Sequence, residues 1–285
     1  MSSCIPAKTF LRAPAKLNLG LEIVGRRVDG YHELQSLFWP IDFVDPIELE
    51  QTPGRIEVKS WWGPEAPRPH PTPPQGKKNL VHSVLESSGG GWSAGIEKNI
   101  PIGAGLGGGS ADAGTVLAHL MKWGADGRDA EKLGADIPFF LDPRPTWVKG
   151  IGELRQPLAQ GNWSFFFLLI IPPKPLSTRK VFQTYQALGG PFSTRRSSWE
   201  PMEEYLLSAT NDLTPAAIQL YPLVGEILTE LKRTSPLFAS LTGTGSTCFA
   251  IFRSAEDREK SIKVLQPFLR KNFCRSLLAS SYTAA

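Results

Sequence analysis

Residues 101–110 read Pro-Ile-Gly-Ala-Gly-Leu-Gly-Gly-Gly-Ser and hold five glycines in the eight positions from 103 onward. Hydrophobic patterning predicts a strand around position 96 and a helix over 110–122, so this run joins a strand to a helix. Backbone N–H groups can approach phosphate oxygens closely only where Cβ atoms are absent, and a helix N-terminus adds partial positive charge. The run is therefore interpreted as a phosphate-binding loop, with a flexible linker as the alternative.

The spacing of the glycines distinguishes between known kinds of phosphate-binding loop. No Gly-Lys-Ser/Thr ending follows the glycines, which excludes Walker-A chemistry. Gly103, Gly105 and Gly108 fit G-x-G-x-x-G, but Pro101 precedes them and no acidic residue closes a following strand about 20 positions on. A dinucleotide site is the weaker match.

The remaining chain mixes both kinds of regular structure. Leu17, Leu19, Leu21 and Ile23 alternate as in a half-buried strand, which places Lys16 and the other even positions on its opposite face. Other predicted strands cover 38–49, 55–61, 147–154, 165–171, 248–252 and the region of 276. Predicted helices cover 79–88, 110–122, 128–133, 177–188, 214–232 (interrupted near 222) and 256–270. Residues 63–76 are predicted to be an exposed proline-rich loop with polyproline character, and 240–247 a second glycine-rich turn.

Composition limits the class of protein. The 285 residues are 41% hydrophobic and carry a net charge of +4 that is spread along the chain, so no polybasic patch indicates nucleic acid. Cys4, Cys248 and Cys274 have neither the number nor the spacing of a disulfide framework or a zinc site. With no signal peptide and no apolar span of membrane length in the sequence, we expect a reduced, cytoplasmic protein without a membrane or nucleic-acid partner.

The loop resembles the phosphate loop of the GHMP kinase superfamily. Six further blocks resemble one branch of it, in that branch's order: Ala-Pro-Ala-Lys-Leu-Asn-Leu (13–19), Arg-Val-Asp-Gly-Tyr-His-Glu-Leu (27–34), Gly-Ala-Asp-Ile-Pro-Phe-Phe (134–140), Gly-Ile-Gly-Glu (150–153), Asn-Asp-Leu (211–213) and Leu-Thr-Gly-Thr-Gly-Ser-Thr-Cys (241–248). The resemblance implies an α+β, two-domain fold. A domain like the second domain of ribosomal protein S5 would cover 1–160, and a ferredoxin-like domain 161–285.

The resemblance also implies an activity. ATP would phosphorylate a hydroxyl of a small cytidine diphosphate substrate, with Lys16 and Asp136 at the positions of the catalytic pair. A carboxylate can accept or orient the proton of the attacking hydroxyl, and a nearby cation offsets charge at the transferring group. From the residues alone, Lys16 could equally be a solvated strand lysine, and Asp136 a helix cap or a buried structural aspartate.

The remaining site residues come from the same resemblance. Nucleotide-binding positions are Pro101, Ile102, Gly103, Ala104, Gly105, Leu106, Gly107, Gly108, Gly109, Ser110, Ala111, Asn79 and Leu80. Substrate-binding positions are Asn18, Tyr31, His32, Ser177, Thr178, Thr242, Gly243, Thr244 and Gly245. A helix cap explains Asn79 or Ser177 equally well, and the segment 30–32 could be an ordinary turn. Mg²⁺ is expected with ATP, with Ser110 a candidate ligand by position only; the chain is expected to be a monomer or homodimer.

Several features depart from the branch's pattern, and three other readings compete. Ala111 stands where a second serine is usual, and Leu-Asp-Pro-Arg-Pro (141–145) replaces a small glycine-containing turn. The proline-rich loop at 63–76 is unusual, and the helical segments after 79 and after 121 are shorter than in the branch. The competing functions are another GHMP kinase acting on mevalonate-type or sugar substrates, a nucleotide-binding regulator without catalysis, and, least favoured, a nicotinamide-dependent oxidoreductase. The tyrosine–histidine block and the block at 13–19 favour the cytidine diphosphate branch.

Overall fold

The computed structural model describes residues 7–66, 72–159, 163, 165–196, 198–199 and 201–283. In the described part of the chain the strands are β1 (Lys8–Arg26), β2 (His32–Gln51), β3 (Ile56–Trp62), β4 (Trp92–Lys98), β5 (Thr146–Gly150), β6 (Leu154–Pro157), β7 (Phe166–Ile171), β8 (Phe238–Leu241), β9 (Cys248–Phe252) and β10 (Arg275–Ser280). The α-helices are α1 (Leu80–Ser87), α2 (Gly108–Met121), α3 (Ala130–Leu133), α4 (Thr178–Ala187), α5 (Met202–Ser208), α6 (Thr214–Leu220), α7 (Leu223–Arg233) and α8 (Ala255–Lys271). Short 3₁₀ turns occur at Gly76–Lys78 and Ile137–Leu141. No helix within these ranges is long and apolar enough to cross a membrane.

The chain divides into two compact units, neither of which is continuous in sequence. Unit 1 comprises residues 1–15, 43–102 and 107–143, and unit 2 comprises 16–42, 103–106 and 144–285. Strands β1 and β2 each contribute residues to both units, and the glycine-rich loop is also divided between them. Each unit is described by itself below.

In unit 1, strands and helices both follow the hydrophobic pattern of the sequence. β3 runs parallel to β4, with Ile56 opposite Trp92, and β2 runs antiparallel to β4, with Ile47 opposite Ile96. Alternate residues of β4 are buried, as expected for a strand with one face on a core. Helix α1 begins after Asn79, whose side chain accepts the N–H of Val81 at 3.0 Å. The cap predicted from the sequence is therefore present.

Unit 2 contains an antiparallel four-stranded sheet in the order β10-β7-β9-β8. Helices α4, α6, α7 and α8 supply apolar side chains to its core, together with Leu21 and Ile23 of β1. Residues 34–38 of β2 pair with β5, and β5 pairs with β6. The apolar core of unit 2 therefore includes residues of β1, the first strand of the chain.

The structure corrects four predictions about local elements. The strand at 17–23 is buried on both faces, because its even positions find hydrogen-bond partners inside unit 2. The single strand expected at 147–154 is a hairpin, since Gly150 takes a positive φ of 72° before β6. Helix α5 was not predicted. In the proline-rich segment, 67–71 lie outside the described residues, and Gln75 folds back onto β3 by accepting the N–H of Ser60 at 3.0 Å.

Candidate active site

The glycine-rich loop has a backbone that few residues other than glycine adopt. Gly103, Gly105 and Gly107 have φ of 70°, 82° and 75°, in the left-handed region that a Cβ disfavours. Gly107 is the N-cap of helix α2, and the N–H of Ala111 returns to its carbonyl at 2.8 Å. The predicted arrangement of a glycine run opening a helix is thus present, although α2 begins two residues earlier than expected.

Within unit 2, residues 103–106 of the loop are bound to the second glycine-rich turn. A Cβ at Gly105 would lie 2.2 Å from the carbonyl oxygen of Thr242, so only glycine fits there. The N–H of Thr247 donates to the carbonyl of Ala104 at 3.3 Å. The carbonyl of Leu106 accepts the backbone N–H of Lys16 at 3.0 Å. This half of the loop therefore lies between the turn and strand β1.

The first turn of α2 in unit 1 is supported by three buried ionisable side chains. Lys98 contacts the carboxylates of Asp45 and Asp112, the latter at 2.5 Å, and all three side chains are at most 4% exposed. Asp45 also accepts the N–H groups of Asn99 and Ile100, directly before the loop. Burial raises the pKa of Asp112 well above its ordinary value, and the charge of Asp45 adds to this effect.

Sequence reasoning overlooked this charged cluster, although a signal for it exists. Asp45 shares a strand face with Phe43, Ile47 and Leu49, which are buried. A carboxylate at one position of an otherwise apolar face predicts a buried partner of opposite charge. The cluster holds the end of β4 and the helix that follows the loop in a fixed relation.

Also in unit 1, helix α2 positions the segment that carries Asp136. Asp136 is half-buried and directly precedes the 3₁₀ turn Ile137–Leu141. This turn packs on Gly114 of α2 so closely that a Cβ there would lie 2.8 Å from the carbonyl of Ile137. A Cβ on Gly134 would lie 3.8 Å from Ser110 Oγ. The aspartate therefore follows a segment that lies beside the first turn of α2.

The two other nucleotide candidates also lie beside α2. A Cβ at Gly109 would be in ordinary contact with Leu80, 3.8 Å from its Cδ1. Asn79 is buried and caps α1, so the cap accounts for its side chain. Ala111, at the position of the missing second serine, is fully buried and packs in the core of unit 1.

Lys16 is held by groups of unit 2. Its Nζ donates to Asn18 Oδ1 at 2.6 Å and lies 4.6 Å from the centroid of the Phe38 ring. Asn18 Nδ2 donates to Ser36 Oγ at 2.9 Å. Lys16 is only 4% exposed, which is not the environment of a solvated strand lysine. The predicted sharing of one strand face by Lys16 and Asn18 is therefore present.

Tyr31 and His32 differ in their surroundings. Tyr31 is 64% exposed. The ring of His32 stacks on Phe182 of α4 with centroids 5.2 Å apart, and its edge meets Tyr185. Partial burial, followed by the charge of Arg26, lowers the pKa of His32, so the neutral imidazole is favoured. Phe182 was not identified from the sequence as a neighbour of this block.

The start of α4 meets the second glycine-rich turn. The hydroxyls of Thr178 and Thr244 are 3.1 Å apart. Ser177 stands at the N-cap of α4 but makes no side-chain capping bond, unlike Asn79, so capping does not account for it. Thr242 is fully buried, and its hydroxyl contacts Asn18 and Gly105. Unit 2 thus brings Lys16, Asn18, residues 103–106 of the loop and the second glycine-rich turn together.

Comparisons with known proteins agree with this arrangement. The sequence profile described as GHMP kinases N terminal domain matches residues 78–138, and the profile described as GHMP kinases C terminal matches residues 193–271. A 4-diphosphocytidyl-2-C-methyl-D-erythritol kinase of Paracoccus denitrificans is 36% identical over 256 residues, which cover 87% of this chain and 88% of the relative. The enzyme of the same name from Nitrosococcus oceani is 39% identical over 258 residues, covering 84% of each chain.

Solved structures give the same result for the fold. A crystal structure of 4-(cytidine 5'-diphospho)-2C-methyl-D-erythritol kinase superposes with a TM-score of 0.78 at 28% identity, covering 97% of this chain and 100% of the other. A homoserine kinase from Cytophaga hutchinsonii superposes with a TM-score of 0.69 at 17% identity, covering 99% and 97% of the two chains. At that identity the second likeness concerns the fold alone.

Proposed function

This chain belongs to the family of 4-diphosphocytidyl-2-C-methyl-D-erythritol kinases, and from that premise we propose how its residues carry out the reaction. It is an ATP-dependent kinase of the GHMP group. It transfers a phosphoryl group from ATP to the 2-hydroxyl of 4-diphosphocytidyl-2-C-methyl-D-erythritol and releases ADP, a step of non-mevalonate isoprenoid precursor synthesis.

Lys16 is proposed to offset negative charge on the transferring phosphoryl group. The observation that supports this assignment is that both the backbone and the side chain of Lys16 are hydrogen-bonded within unit 2. Its backbone N–H donates to the loop carbonyl of Leu106, while its ammonium is oriented by Asn18 at 2.6 Å. A buried cation held beside a phosphate-binding loop can act electrostatically without reorganising during the reaction.

Asp136 is proposed to accept or orient the proton of the attacking hydroxyl. Support comes from its place after residue 134, where the chain lies beside Ser110 in the first turn of α2. A carboxylate near the phosphate-binding helix is where a kinase requires its base. The pairing of Asp136 with Lys16 stays a prediction.

Residues 101–111, with Asn79 and Leu80 beside them, are proposed to hold the nucleotide. Left-handed glycines and the N-terminus of α2 support phosphate binding in this loop. On the acceptor side, the exposed ring of Tyr31 is available to stack on a pyrimidine. His32, Asn18, Ser177, Thr178 and the turn 242–245 are proposed to form the rest of that side.

Mg²⁺ is proposed to enter with ATP. In the described ranges no three His, Cys, Asp or Glu side chains are grouped to hold a metal ion, so the protein donors fit an ion that keeps mainly phosphate and water ligands. The Ser110 hydroxyl would be the protein ligand. When bound, the ion would neutralise charge on the β and γ phosphates. The cytoplasmic location and the monomeric or dimeric state stay predictions.

The experiment that tests the function and its base is ADP release with ATP and Mg²⁺. The acceptor 4-diphosphocytidyl-2-C-methyl-D-erythritol is compared with mevalonate and homoserine, for the natural protein and for Asp136→Asn. We expect turnover with the cytidine diphosphate acceptor alone, and a loss of about 10²- to 10⁴-fold in kcat for the variant.

Asp126→Asn is the matched control, because this aspartate of unit 1 is exposed and pairs with Arg128, two residues away. It should keep the natural kcat. Turnover of Asp136→Asn at the control's rate would remove Asp136 from the mechanism. Activity on mevalonate or homoserine alone would overturn the substrate assignment, but it would not affect the proposal that residues 101–111 bind ATP.

A further inference from the structure

Asn211 is a buried amide that the proposed mechanism does not use. Only 5% of the residue is exposed, and its chain neighbours are bound to strand β1. The N–H of Leu21 donates to Thr210 at 2.7 Å, and the N–H of Asp212 donates to Leu21 at 2.9 Å. The segment is therefore fixed to the strand that carries Lys16 five residues earlier.

The carboxamide of Asn211 makes three hydrogen bonds to backbone groups. Nδ2 donates to the carbonyls of Leu241 and Gly243, both at 2.9 Å. Oδ1 accepts the N–H of Leu213 at 3.0 Å. The two carbonyls belong to the residues on either side of Thr242, so one side chain ties down the turn before and after that residue.

Thr242 stands where three parts of the proposed site meet. Its Oγ1 accepts the backbone N–H of Asn18 at 3.1 Å. Its single hydroxyl proton has two acceptors, Asn18 Oδ1 at 3.3 Å and the carbonyl of Gly105 at 3.2 Å. Asn18 Oδ1 is also the acceptor for Lys16 Nζ. A threonine side chain with no exposed surface can then act on the reaction only through these neighbours.

We propose that Asn211 is a positioning residue for phosphoryl transfer, because its carboxamide fixes the turn that holds the Thr242 hydroxyl between Asn18 and Gly105. Asn211 thereby aligns the Lys16 ammonium with the phosphate loop, entirely through contacts inside unit 2. The inference rests on the proposed roles of Lys16 and the loop.

The charges favour this role over a purely structural one. A neutral amide binds the carbonyls without bringing a charge into a site that already holds the buried Lys16. Losing it removes one buried donor from each of the two carbonyls and leaves the Leu241 carbonyl with the longer bond from Ser240 Oγ at 3.3 Å, which frees the turn to reorient. Small displacements of groups around a reacting centre cost rate strongly, about 10²-fold for 1 Å.

The test is a double-mutant cycle of Asn211→Ala and Thr242→Val. Three quantities are measured for each protein: kcat for the cytidine diphosphate acceptor, affinity for the non-hydrolysable analogue β,γ-imido-ATP, and Tm. Each single variant is expected to lower kcat about 10-fold or more and to weaken analogue binding several-fold. The double variant is expected to lose no more than the worse single variant, because both act on one turn. Thr242→Ser, which keeps the hydroxyl, should recover kcat to within about 3-fold of the natural value.

Leu265→Ala is the control for instability. It opens a cavity in the core of unit 2 on helix α8, and it should lower Tm while leaving kcat and analogue binding unchanged. Additive losses in the cycle, or a natural kcat for a folded Asn211→Ala, would overturn the proposal. If Asn211→Ala does not fold, Asn211→Ser replaces it in the same cycle.

The analogue binding separates this proposal from the assignment of function. If the natural protein does not turn over the cytidine diphosphate acceptor but still binds β,γ-imido-ATP, the assignment of function is refuted. The cycle is then judged on analogue affinity alone. Shared losses support the coupling of Asn211 to Thr242, and independent losses refute it.

Discussion

At the scale of single residues, the cluster below helix α2 places one positive and two negative formal charges in a buried site of unit 1. Lys98 contacts both carboxylates, and Asp112 Oδ1 has no hydrogen-bond partner in the described part of the chain. Asp45 accepts two backbone N–H groups in addition to its contact with Lys98. Burial raises the pKa of Asp112 well above its ordinary value, so Asp112 is the carboxyl group that takes the proton.

Asp112→Asn is expected to gain stability relative to the natural protein as the pH rises. The pKa of Asp112 is raised in the folded state, so its protonated form is bound more tightly there than in the unfolded chain. The stability that this proton contributes is fully present below the ordinary pKa, about 4, and is lost as pH rises through the folded pKa. Urea unfolding at pH 4.5, 6.0 and 7.5 measures the difference in unfolding free energy, which should be larger at pH 7.5 than at pH 4.5.

Asp45→Asn provides the contrast, since an amide nitrogen would face the Lys98 ammonium. It is expected to destabilise unit 1 by about 3 kcal/mol. Equal pH profiles for Asp112→Asn and the natural protein would show that the proton is not on Asp112.

At the scale of elements, α2 connects the loop to the proposed base, because the helix carries Ser110 and the turn after Asp136 packs on it. Gly114 permits that packing: a Cβ there would lie 2.5 Å from Phe140 Cβ and 2.8 Å from the carbonyl of Ile137. The contact is between backbone groups, which cannot rotate away. The distance between the helix and the turn is thus set by the absence of one side chain.

Gly114→Ala is expected to lower kcat by at least about 10-fold and to cost about 1–3 kcal/mol of stability, since the turn must move outward. Gly225→Ala is the matched control, because this glycine also lies inside a helix and its added Cβ would make ordinary contacts at 3.4 Å with Ile218. The control should be neutral or gain up to about 1 kcal/mol from helix propensity. Steady-state kinetics and urea unfolding of both variants give the answer, and a natural kcat for Gly114→Ala would contradict the argument.

Elements that depend on local sequence patterns can be predicted from the sequence, whereas features that depend on contacts between distant residues cannot. Local apolar patterns located β1, β3, β9, α2 and α8, and the continuous apolar run at 165–171 located β7. Asn79 was recognisable as a cap from its residue type. The hairpin of β5 and β6 was missed because residue type alone does not show that Gly150 takes a positive φ and turns the chain there. The role of Asn211 could not be read at all, since its acceptors lie 30 and 32 residues away.

At the scale of the whole molecule, the predicted α+β fold is confirmed by both GHMP profiles and by the solved kinase structure. The proposed boundary near 160 stays a prediction. The compact units instead interleave along the sequence, and unit 2 takes residues 16–42 from the N-terminal half. Leu21 and Ile23 belong to the apolar core of its four-stranded sheet.

A fragment comprising residues 161–285 is expected to unfold without the cooperativity of the intact chain. It retains the strands of the second sheet but lacks Leu21 and Ile23 and the backbone bonds to residues 210–212. Adding a synthetic peptide of residues 14–42 should restore a cooperative urea transition, followed by circular dichroism. A fragment with the full unfolding free energy on its own would support the boundary near 160 as a boundary of independent folding.

The bond between Asn18 and Thr242 joins residues 224 positions apart. During translation Asn18 leaves the ribosome long before its partner, by about 10–45 s at rates of about 5–20 residues per second. Throughout that interval Lys16 and Asn18 lie on a strand that can pair with β2 but lacks its contact with the turn at 240–247. Strand β1 of the nascent chain must therefore avoid non-native pairing until the last fifth of the protein has been synthesised. A ribosome-associated chaperone would be expected to bind β1 during this time.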